Sequence, residues 1–272
     1  MAAKNNDDYI LGTDRAELHR LGLQHQVWSE EAREGWKLAE FGAGQTLLDL
    51  GCGPGFCTTE LAYIVGEFGK VIGVDLSKTY IDFLQKNSDL HGLPIEGVCS
   101  DFMEMKLKNE SLDGAYSRWA LAWVEDAEEV IGKVADALVP GGAFVAQEYY
   151  DWSTFQTEPV FESLNAGIAG ALKSFKSMDS EIDIGKKLPE LFYNNGLEVI
   201  SIRPMTKMAT PESLIWQWPK SFMKIYLPKI AEMGFITKQQ AEDAFEELLE
   251  LENTPGATIL CPHMIEVIGI KV

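Results

Sequence analysis

The chain has little positive charge, few cysteines and no long apolar run. Its 23 lysines and arginines stand against 42 aspartates and glutamates, so the formal net charge is −19 at pH 7. No dense basic cluster offsets this charge, which argues against a nucleic-acid partner because phosphate backbones are bound by positive charge. No stretch approaches the eighteen apolar residues of a membrane span. The N-terminus, MAAKNNDDYI, lacks the apolar core of a secretory signal, so a cytoplasmic protein is expected.

The four cysteines, Cys52, Cys57, Cys99 and Cys261, include no C-x-x-C pair. This spacing favours neither a zinc site nor a disulfide framework, so no metal site is assigned. Cys52 and Cys99 lie in or beside predicted strands, and buried thiols are expected. The length of 272 residues allows one large domain, or a core domain with a substantial insertion.

Short apolar runs bounded by glycine alternate with amphipathic stretches from residue 46 onward. This alternation predicts an α/β fold with a doubly wound, mostly parallel sheet of seven strands and helices on both faces. The predicted strands are 46–50, 70–75, 95–99, 112–117, 142–148, 197–203 and 258–270. The predicted helices are 57–66, 78–90, 126–138 and 185–195, with Ser77 and Asp126 as caps and Gly92 and Gly141 as stops.

Two further regions are expected to form caps. Residues 1–45 contain a loop followed by an amphipathic helix pattern and predict an N-terminal helical cap. Residues 204–257 form a connection too long for a hairpin, so they must carry structure of their own and predict an inserted helical cap. The cofactor-binding core then comprises 46–203 and 258–272.

The most informative segment is TLLDLGCGPG at 46–55, a short apolar strand that leads into three glycines. Gly51, Gly53 and Gly55 permit a sharp turn and let the backbone approach a ligand without an intervening Cβ. The following helix directs its free N–H groups at whatever occupies the turn. Asp75 ends the next strand, where a carboxylate can accept both hydroxyls of a ribose. Together these features predict a site for a nucleotide-like cofactor.

The glycine spacing distinguishes between cofactors. Dinucleotide turns prefer G-x-G-x-x-G, whereas this chain has G-x-G-x-G and carries Phe56 where the last glycine should stand. Asp49 precedes the turn, where it disfavours a pyrophosphate and favours an ammonium group. A ligand with a ribose at one end and a zwitterionic amino acid at the other fits this pattern, and S-adenosylmethionine is such a ligand. An NAD-dependent oxidoreductase is the alternative from another enzyme class.

Five segments, in order, resemble the class I S-adenosylmethionine-dependent methyltransferases that modify small molecules, the branch of the ubiquinone/menaquinone-type and natural-product enzymes. They are DLGCGPG at 49–55, VDLS at 74–77, SDF at 100–102, SRWAL at 117–121 and LVPGGA at 138–143. The resemblance implies a Rossmann-like methyltransferase fold whose last strand is antiparallel. It also implies methyl transfer from S-adenosylmethionine, with S-adenosylhomocysteine as product, to a small apolar or aromatic molecule at O, N or C.

The resemblance further implies contacts with the methionine part of the cofactor. The three glycines and Cys52 would run beside it, and Asp49 would order that end. Ser117 and Arg118 would lie close to it, because an arginine can clamp a carboxylate with two hydrogen bonds. A structural salt bridge is the alternative role for Arg118.

Contacts with the adenosine part are implied in the same way. Asp75 would bind the ribose hydroxyls, and Leu76 would pack on the adenine. Asp101 and Phe102 would contact the adenine amino group and ring. The N-terminal cap would contribute further cofactor contacts through Tyr9 and Gln24.

Large side chains in the caps and at the carboxyl end of the fifth strand are the candidates for substrate contacts, although each could instead belong to a hydrophobic core. They are Trp28, Glu148, Tyr149, Trp216, Trp218, Phe222 and Tyr226. Because a sulfonium is a good leaving group, alignment and desolvation can supply most of the acceleration, and no catalytic residue is assigned. A protein or RNA substrate and a catalytically silent regulator are the competing functions. The expected assembly is a monomer or homodimer.

Overall fold

The structure of the protein, a computed structural model, describes residues 15–177 and 180–272. Within these residues the chain forms eight α-helices and ten β-strands. The helices are α1 (Arg15–Leu38), α2 (Phe56–Val65), α3 (Lys78–His91), α4 (Ala127–Ala137), α5 (Glu162–Lys176), α6 (Leu188–Asn194), α7 (Leu214–Glu232) and α8 (Lys238–Glu252). The strands are β1 (Thr46–Leu50), β2 (Lys70–Asp75), β3 (Ile95–Cys99), β4 (Leu112–Arg118), β5 (Leu138–Asp151), β6 (Gln156–Glu158), β7 (Leu197–Met205), β8 (Met208–Ala209), β9 (Thr258–Leu260) and β10 (His263–Lys271).

Seven strands form the main sheet, in the order β3-β2-β1-β4-β5-β10-β7. The first five of that order pair in parallel, and β10 runs antiparallel to both β5 and β7. Alternate residues of β1 face opposite sides, since Leu47 packs in the cluster with α1, α2 and α3, and Leu48 packs in the cluster with α4 and α6. The predicted fold class, with helices on both faces and the last strand antiparallel, is confirmed.

The predicted helix boundaries hold wherever a local cap fixes them. The side chains of Ser77 and Asp126 accept hydrogen bonds from the first turns of α3 and α4, and Gly92 ends α3 in a left-handed conformation. The predicted stop at Gly141 is wrong, because α4 ends at Ala137 and Gly141 lies within β5. The chain leaves the helix early because Pro140 disfavours helical geometry in the residue before it.

The predicted last strand at 258–270 is also wrong in one respect, because it is two strands in two sheets. β9 belongs to a separate three-stranded antiparallel sheet with β6 and β8, whereas β10 belongs to the main sheet. Pro262 lies between them and, lacking a backbone N–H, cannot continue a ladder. The amphipathic helix pattern of the predicted N-terminal cap is clearest at residues 17–28. The helix itself is longer, since α1 extends to Leu38.

A separate hydrophobic cluster joins α5, α7, α8 and the small sheet, and we call this unit the cap. Its buried residues come from 152–182 and from 209–259. Residues 152–182 therefore pack with the inserted segment, although the sequence analysis grouped them with the core range 46–203. All four cysteines are free; Cys99 is exposed rather than buried, because it ends the edge strand β3. No helix in the described ranges is long and apolar enough to cross a membrane.

Candidate active site

A cavity of about 690 Å³ lies at the carboxyl ends of β1, β2 and β4 and continues beneath the cap. Open α/β sheets bind ligands at this edge, outside the carboxyl ends of their strands. Fourteen of the site residues singled out in the sequence line it: Gln24, Asp49, Gly51, Cys52, Gly53, Asp75, Leu76, Asp101, Phe102, Arg118, Tyr149, Trp218, Phe222 and Tyr226. Tyr9 lies outside the described residues.

The glycine turn supplies the floor of the cavity. Gly51, Gly53 and Gly55 all have left-handed backbones, with φ of +77°, +52° and +89°. A Cβ on Gly53 would meet no atom within 4 Å, so the space in front of this residue is open. A Cβ on Gly55 would overlap the Leu84 side chain, and Gly55 does not line the cavity. Gly55 is therefore required for packing against Leu84, and its contact with the cofactor stays a prediction.

Asp75 is fixed at the end of β2 by two backbone donors. Its Oδ2 accepts from the Gly53 N–H at 2.9 Å, and its Oδ1 accepts from the Ser77 N–H at 2.8 Å. Burial raises the pKa of the Asp75 carboxyl, and these two hydrogen bonds oppose that shift. Each carboxylate oxygen can accept a further hydrogen bond, so this arrangement fits a pair of ligand hydroxyls.

Asp49 and Arg118 place opposite charges at the inner end of the turn. Asp49 is almost fully buried and accepts a 2.6 Å hydrogen bond from the Thr58 hydroxyl. Burial raises the pKa of Asp49 to about 6, with the Thr58 hydrogen bond and the Arg118 charge opposing the shift. The Arg118 guanidinium donates to the Trp28 carbonyl and to Cys57 Sγ, both at 3.3 Å. No carboxylate of the described residues lies within ion-pair distance of Arg118, so the structure does not form the alternative salt bridge.

The outer end of the turn is framed by Leu76, Asp101 and Phe102. Asp101 Oδ1 accepts from the Met103 N–H at 2.9 Å, which fixes its carboxylate at the cavity. Leu76 is 45% exposed, and its uncovered apolar face is available to a flat ring.

Helix α1 closes the cavity from the opposite side. Gln24 Oε1 accepts from Trp218 Nε1 at 3.1 Å and from Arg20 Nη1 at 2.8 Å, so one amide joins α1 to the cap. His25 also lines the cavity and pairs with Glu60 at 2.8 Å. The sequence analysis missed Arg20 as a lining residue, and its position one helical turn before Gln24 was the available signal.

The part of the cavity beneath the cap is walled by rings, and we call it the aromatic arm. Its residues are Trp119, Tyr149, Trp152, Phe155, Phe175, Trp218, Phe222 and Tyr226. The Trp119 ring lies between those of Tyr149 and Trp218, with centroids 5.7 and 5.8 Å away. Trp119 has a φ of +54°, a strained value for a bulky residue that places its ring in the arm.

Four of these rings were not predicted to touch a ligand. They are Trp119, Trp152, Phe155 and Phe175. Trp119 follows the carboxyl end of β4, and that position was a usable signal. The other three lie between residues 151 and 184, where no sequence pattern distinguishes a cavity wall from a core.

Three predicted residues are buried away from the cavity. Trp28 is fully buried and packs its ring against Trp119 and Trp218, with centroids 5.8 and 5.0 Å away. Trp216 is fully buried in the hydrophobic cluster of the cap. Ser117 is fully buried within β4. None of the three side chains lines the cavity, so the geometry gives no support to a ligand contact by these side chains; Trp28 supports the aromatic arm from behind.

Glu148, a predicted substrate contact, is also fully buried and does not line the cavity. Its Oε1 accepts from the backbone N–H groups of Ala120 and Leu121, both at 2.9 Å. Burial raises the pKa of Glu148 to about 8. The carboxyl thus acts as a positioning group, because it holds the segment after β4 that carries Trp119 and Ala120 to the cavity.

The titration of Glu148 predicts a pH dependence of stability. Between its ordinary pKa of 4.5 and about 8, the folded protein holds a proton that the unfolded chain releases, so stability falls as pH rises. The expected slope from this group is about 1.4 kcal/mol per pH unit. Glu148→Gln keeps an acceptor for both N–H groups and should remove that slope. Urea unfolding at several pH values between 5 and 8 measures it, and identical slopes in both proteins would refute the assignment.

Comparison with known proteins agrees with this geometry. Residues 48–146 match a family model described as a methyltransferase domain. A demethylmenaquinone methyltransferase from Oceanobacillus iheyensis is 30% identical over 199 residues, which cover 67% of this chain and 81% of that protein. A 24-methylenesterol C-methyltransferase 2 from Oryza sativa subsp. japonica is 29% identical over 178 residues, covering 64% of this chain and 46% of that protein.

Solved structures share the fold at lower identity. A geranyl diphosphate C-methyltransferase from Streptomyces coelicolor A3(2) superposes with a TM-score of 0.57 and 14% identity, covering 98% of this chain and 90% of that one. The [4+2]-cyclase SpnF superposes with a TM-score of 0.55 and 15% identity, covering 91% and 82%. These likenesses show the fold alone, whereas the family follows from the sequence relatives. The resemblance drawn from the five motifs is confirmed: the chain belongs to the class I S-adenosylmethionine-dependent methyltransferases.

Proposed function

We propose that the protein transfers the methyl group of S-adenosylmethionine to a small, largely apolar molecule bound in the aromatic arm. One observation carries this proposal: a single cavity joins the glycine turn and Asp75 at one end to the aromatic arm at the other. Two ligands bound in these two parts would meet within one cavity, as group transfer between them requires.

The residues at the glycine turn fit the cofactor. The Asp75 carboxylate would accept the ribose hydroxyls, and the absence of a Cβ on Gly53 would let the chain pass close to the methionine part. Leu76 and Asp101 would hold the adenine, and the guanidinium of Arg118 would attract the methionine carboxylate. When bound, S-adenosylmethionine supplies a methyl group activated by its sulfonium. Further cofactor contacts in the proposal are Asp49, Gly51, Cys52, Phe102 and Gln24.

The chain's own contribution to the transfer is alignment and exclusion of water. The Trp119 ring stacks with the rings of Tyr149 and Trp218. Together the three rings form a packed wall against which a substrate could be aligned. Fixing two reactants in one geometry removes much of the entropic cost of their encounter. No residue of the aromatic arm is assigned as a general base, because a base is needed only for acceptors that lose a proton during transfer.

The relatives support a small-molecule acceptor. Demethylmenaquinone and a 24-methylenesterol appear in the names of the sequence relatives, and both are small and mainly apolar. Geranyl diphosphate, in the name of a structural neighbour, is also small but joins an apolar chain to a charged diphosphate. The position of the arm beneath the cap supports the same class, since a folded protein or an RNA helix needs an open groove. The net charge of −19 further disfavours RNA.

Isothermal titration with S-adenosylhomocysteine tests the cofactor half of this proposal. Saturable binding at one site per chain is expected, because the product shares the adenosyl and amino-acid groups that the turn would hold. NADH serves as the control ligand, and it should give no saturable heat, since Phe56 replaces the last glycine of a dinucleotide turn. Binding of NADH without binding of S-adenosylhomocysteine would overturn the proposed function.

A further inference from the structure

Charged side chains are distributed unevenly around the cavity. Asp49, Asp75, Asp101 and Arg118 lie at the cofactor end, and Glu125, which also lines the cavity, is exposed to solvent. The basic side chain nearest the aromatic arm is Arg20 on α1, which also lines the cavity. Its positive charge opposes the rise that burial causes in the pKa of Tyr149. The acceptor would therefore enter a part of the cavity whose walls are aromatic rings. The net charge of this part depends on whether the Arg20 guanidinium is paired with a carboxylate.

The charge of Arg20 is matched by a carboxylate on the same helix. Its Nε donates to Glu17 Oε2 at 2.8 Å and its Nη2 donates to Glu17 Oε1 at 2.7 Å, a bidentate ion pair whose two side chains are buried. Its Nη1 donates to Gln24. His25, farther along α1, has its Nε2 within hydrogen-bond distance of Glu60 Oε1, at 2.8 Å. Among the described residues, the Arg20 charge beside the arm is therefore matched by a buried carboxylate, and the two charges leave this part of the arm without a net charge.

A neutral arm selects against charged acceptors. A carboxylate or phosphate placed there would lose its hydration without gaining an uncompensated cation, and burial of an unpaired ion is strongly unfavourable. An ammonium group would gain attraction to the ring faces, but it would lie beside the sulfonium of the cofactor, and none of the described arm residues carries a carboxylate to offset the repulsion. An uncharged acceptor meets neither cost.

The Tyr149 hydroxyl is the polar group that the arm offers to such a molecule. Tyr149 lines the cavity, and no described residue accepts a hydrogen bond from its hydroxyl. The neighbouring Trp152 indole N–H can only donate and so could not take up the Tyr149 proton. Burial raises the pKa of Tyr149, which keeps the hydroxyl protonated at neutral pH. The other tyrosine of the arm, Tyr226, is already bonded to Ser174 at 2.7 Å.

We propose that the methyl acceptor is an uncharged molecule with an apolar ring system and a hydrogen-bond-accepting oxygen, and that the Tyr149 hydroxyl donates to this oxygen. This inference rests on the proposed function and narrows its substrate class. Phosphorylated and carboxylated acceptors are excluded, although the fold also serves enzymes named for geranyl diphosphate. Tyr149 is thereby a residue that determines substrate specificity.

Three probes of the same size and different charge test the selection. The full chain, saturated with S-adenosylhomocysteine, is titrated with 2-acetylnaphthalene, 2-naphthoate and 2-naphthylmethylamine, and binding is followed by the fluorescence of the arm tryptophans. The neutral ketone should bind at least about tenfold more tightly than either ion. Equal or tighter binding of an ion, or no saturable binding of the ketone, would overturn the inference. Absence of S-adenosylhomocysteine binding would instead overturn the proposed function, so the two failures are distinguishable.

Tyr149→Phe tests the hydrogen bond separately from the charge. It should weaken binding of 2-acetylnaphthalene by roughly 2- to 10-fold, while binding of 2-ethylnaphthalene, which has no oxygen, stays unchanged. Tyr150→Phe is the matched control, because Tyr150 is the next residue, is exposed and lies outside this cavity. Equal binding of the ketone to wild type and Tyr149→Phe, or equal weakening of both probes, would contradict a donor role for the hydroxyl.

Discussion

Replacement of Gly53 by valine is expected to abolish binding of S-adenosylhomocysteine while the protein remains folded. The Cβ would meet no protein atom within 4 Å, so the new side chain would fill the open space in front of the turn instead of clashing with the core. Because φ at Gly53 is +52°, the substitution also strains the backbone, at a cost of about 1–2 kcal/mol. Isothermal titration and thermal unfolding together measure the two effects.

The backbone strain requires its own control, and Gly92 supplies it. Gly92 has a left-handed φ of +62° and equally open surroundings, but it ends α3 away from the cavity. Gly92→Val should lower the melting temperature to a similar degree and leave binding intact. If both variants lose binding equally, strain explains the loss; if Gly53→Val binds normally, the cofactor does not occupy this turn.

The second large effect is expected for Asp75→Ala. The substitution removes the carboxylate that would accept hydrogen bonds from the two ribose hydroxyls. Charge-assisted hydrogen bonds of this kind are expected to contribute about 2–4 kcal/mol to the free energy of cofactor binding. Affinity for S-adenosylhomocysteine should therefore fall by about 30- to 900-fold. Part of the loss arises in the protein itself, since the N–H groups of Gly53 and Ser77 lose their acceptor and the turn loosens.

A ligand without a ribose separates these two causes. Weak binding of methionine alone should change far less than binding of S-adenosylhomocysteine if Asp75 acts mainly on the sugar. Asp82→Ala is the charge-matched control, because Asp82 is exposed on α3 and pairs with Lys78. Unchanged affinity in Asp75→Ala would place the ribose elsewhere.

The core of the fold could be predicted because local chemistry fixes it. β1 and β2 begin and end where the sequence predicted. Each is a short apolar run; β1 ends just before a glycine, and β2 ends at a carboxylate. The caps at Ser77 and Asp126 depend on neighbours three residues away, and both form. Asp75 and Gly53 reach the cavity for the same reason, because the end of a parallel strand fixes where its last side chain lies.

The cap could not be predicted to the same degree, because its details depend on contacts distant in sequence. Trp216 and Trp218 are two residues apart and equally apolar, yet Trp216 is enclosed by the cap while Trp218 lines the cavity and donates to Gln24 on α1. The periodicity of apolar residues shows which side chains are buried. It cannot show whether a buried side chain packs in a hydrophobic core or lines a cavity. Glu148 was misplaced for a similar reason, since its partners on the segment after β4 become neighbours only in the folded chain.

The close packing of Leu84 against Gly55 links two positions that are distant in the sequence. The volume that a side chain at 55 would need belongs to the leucine of α3, and the left-handed φ of +89° adds a second obstacle. A smaller residue at 84 would remove only the first obstacle, so relatives that keep this backbone turn are expected to keep glycine at 55 whatever residue stands at 84.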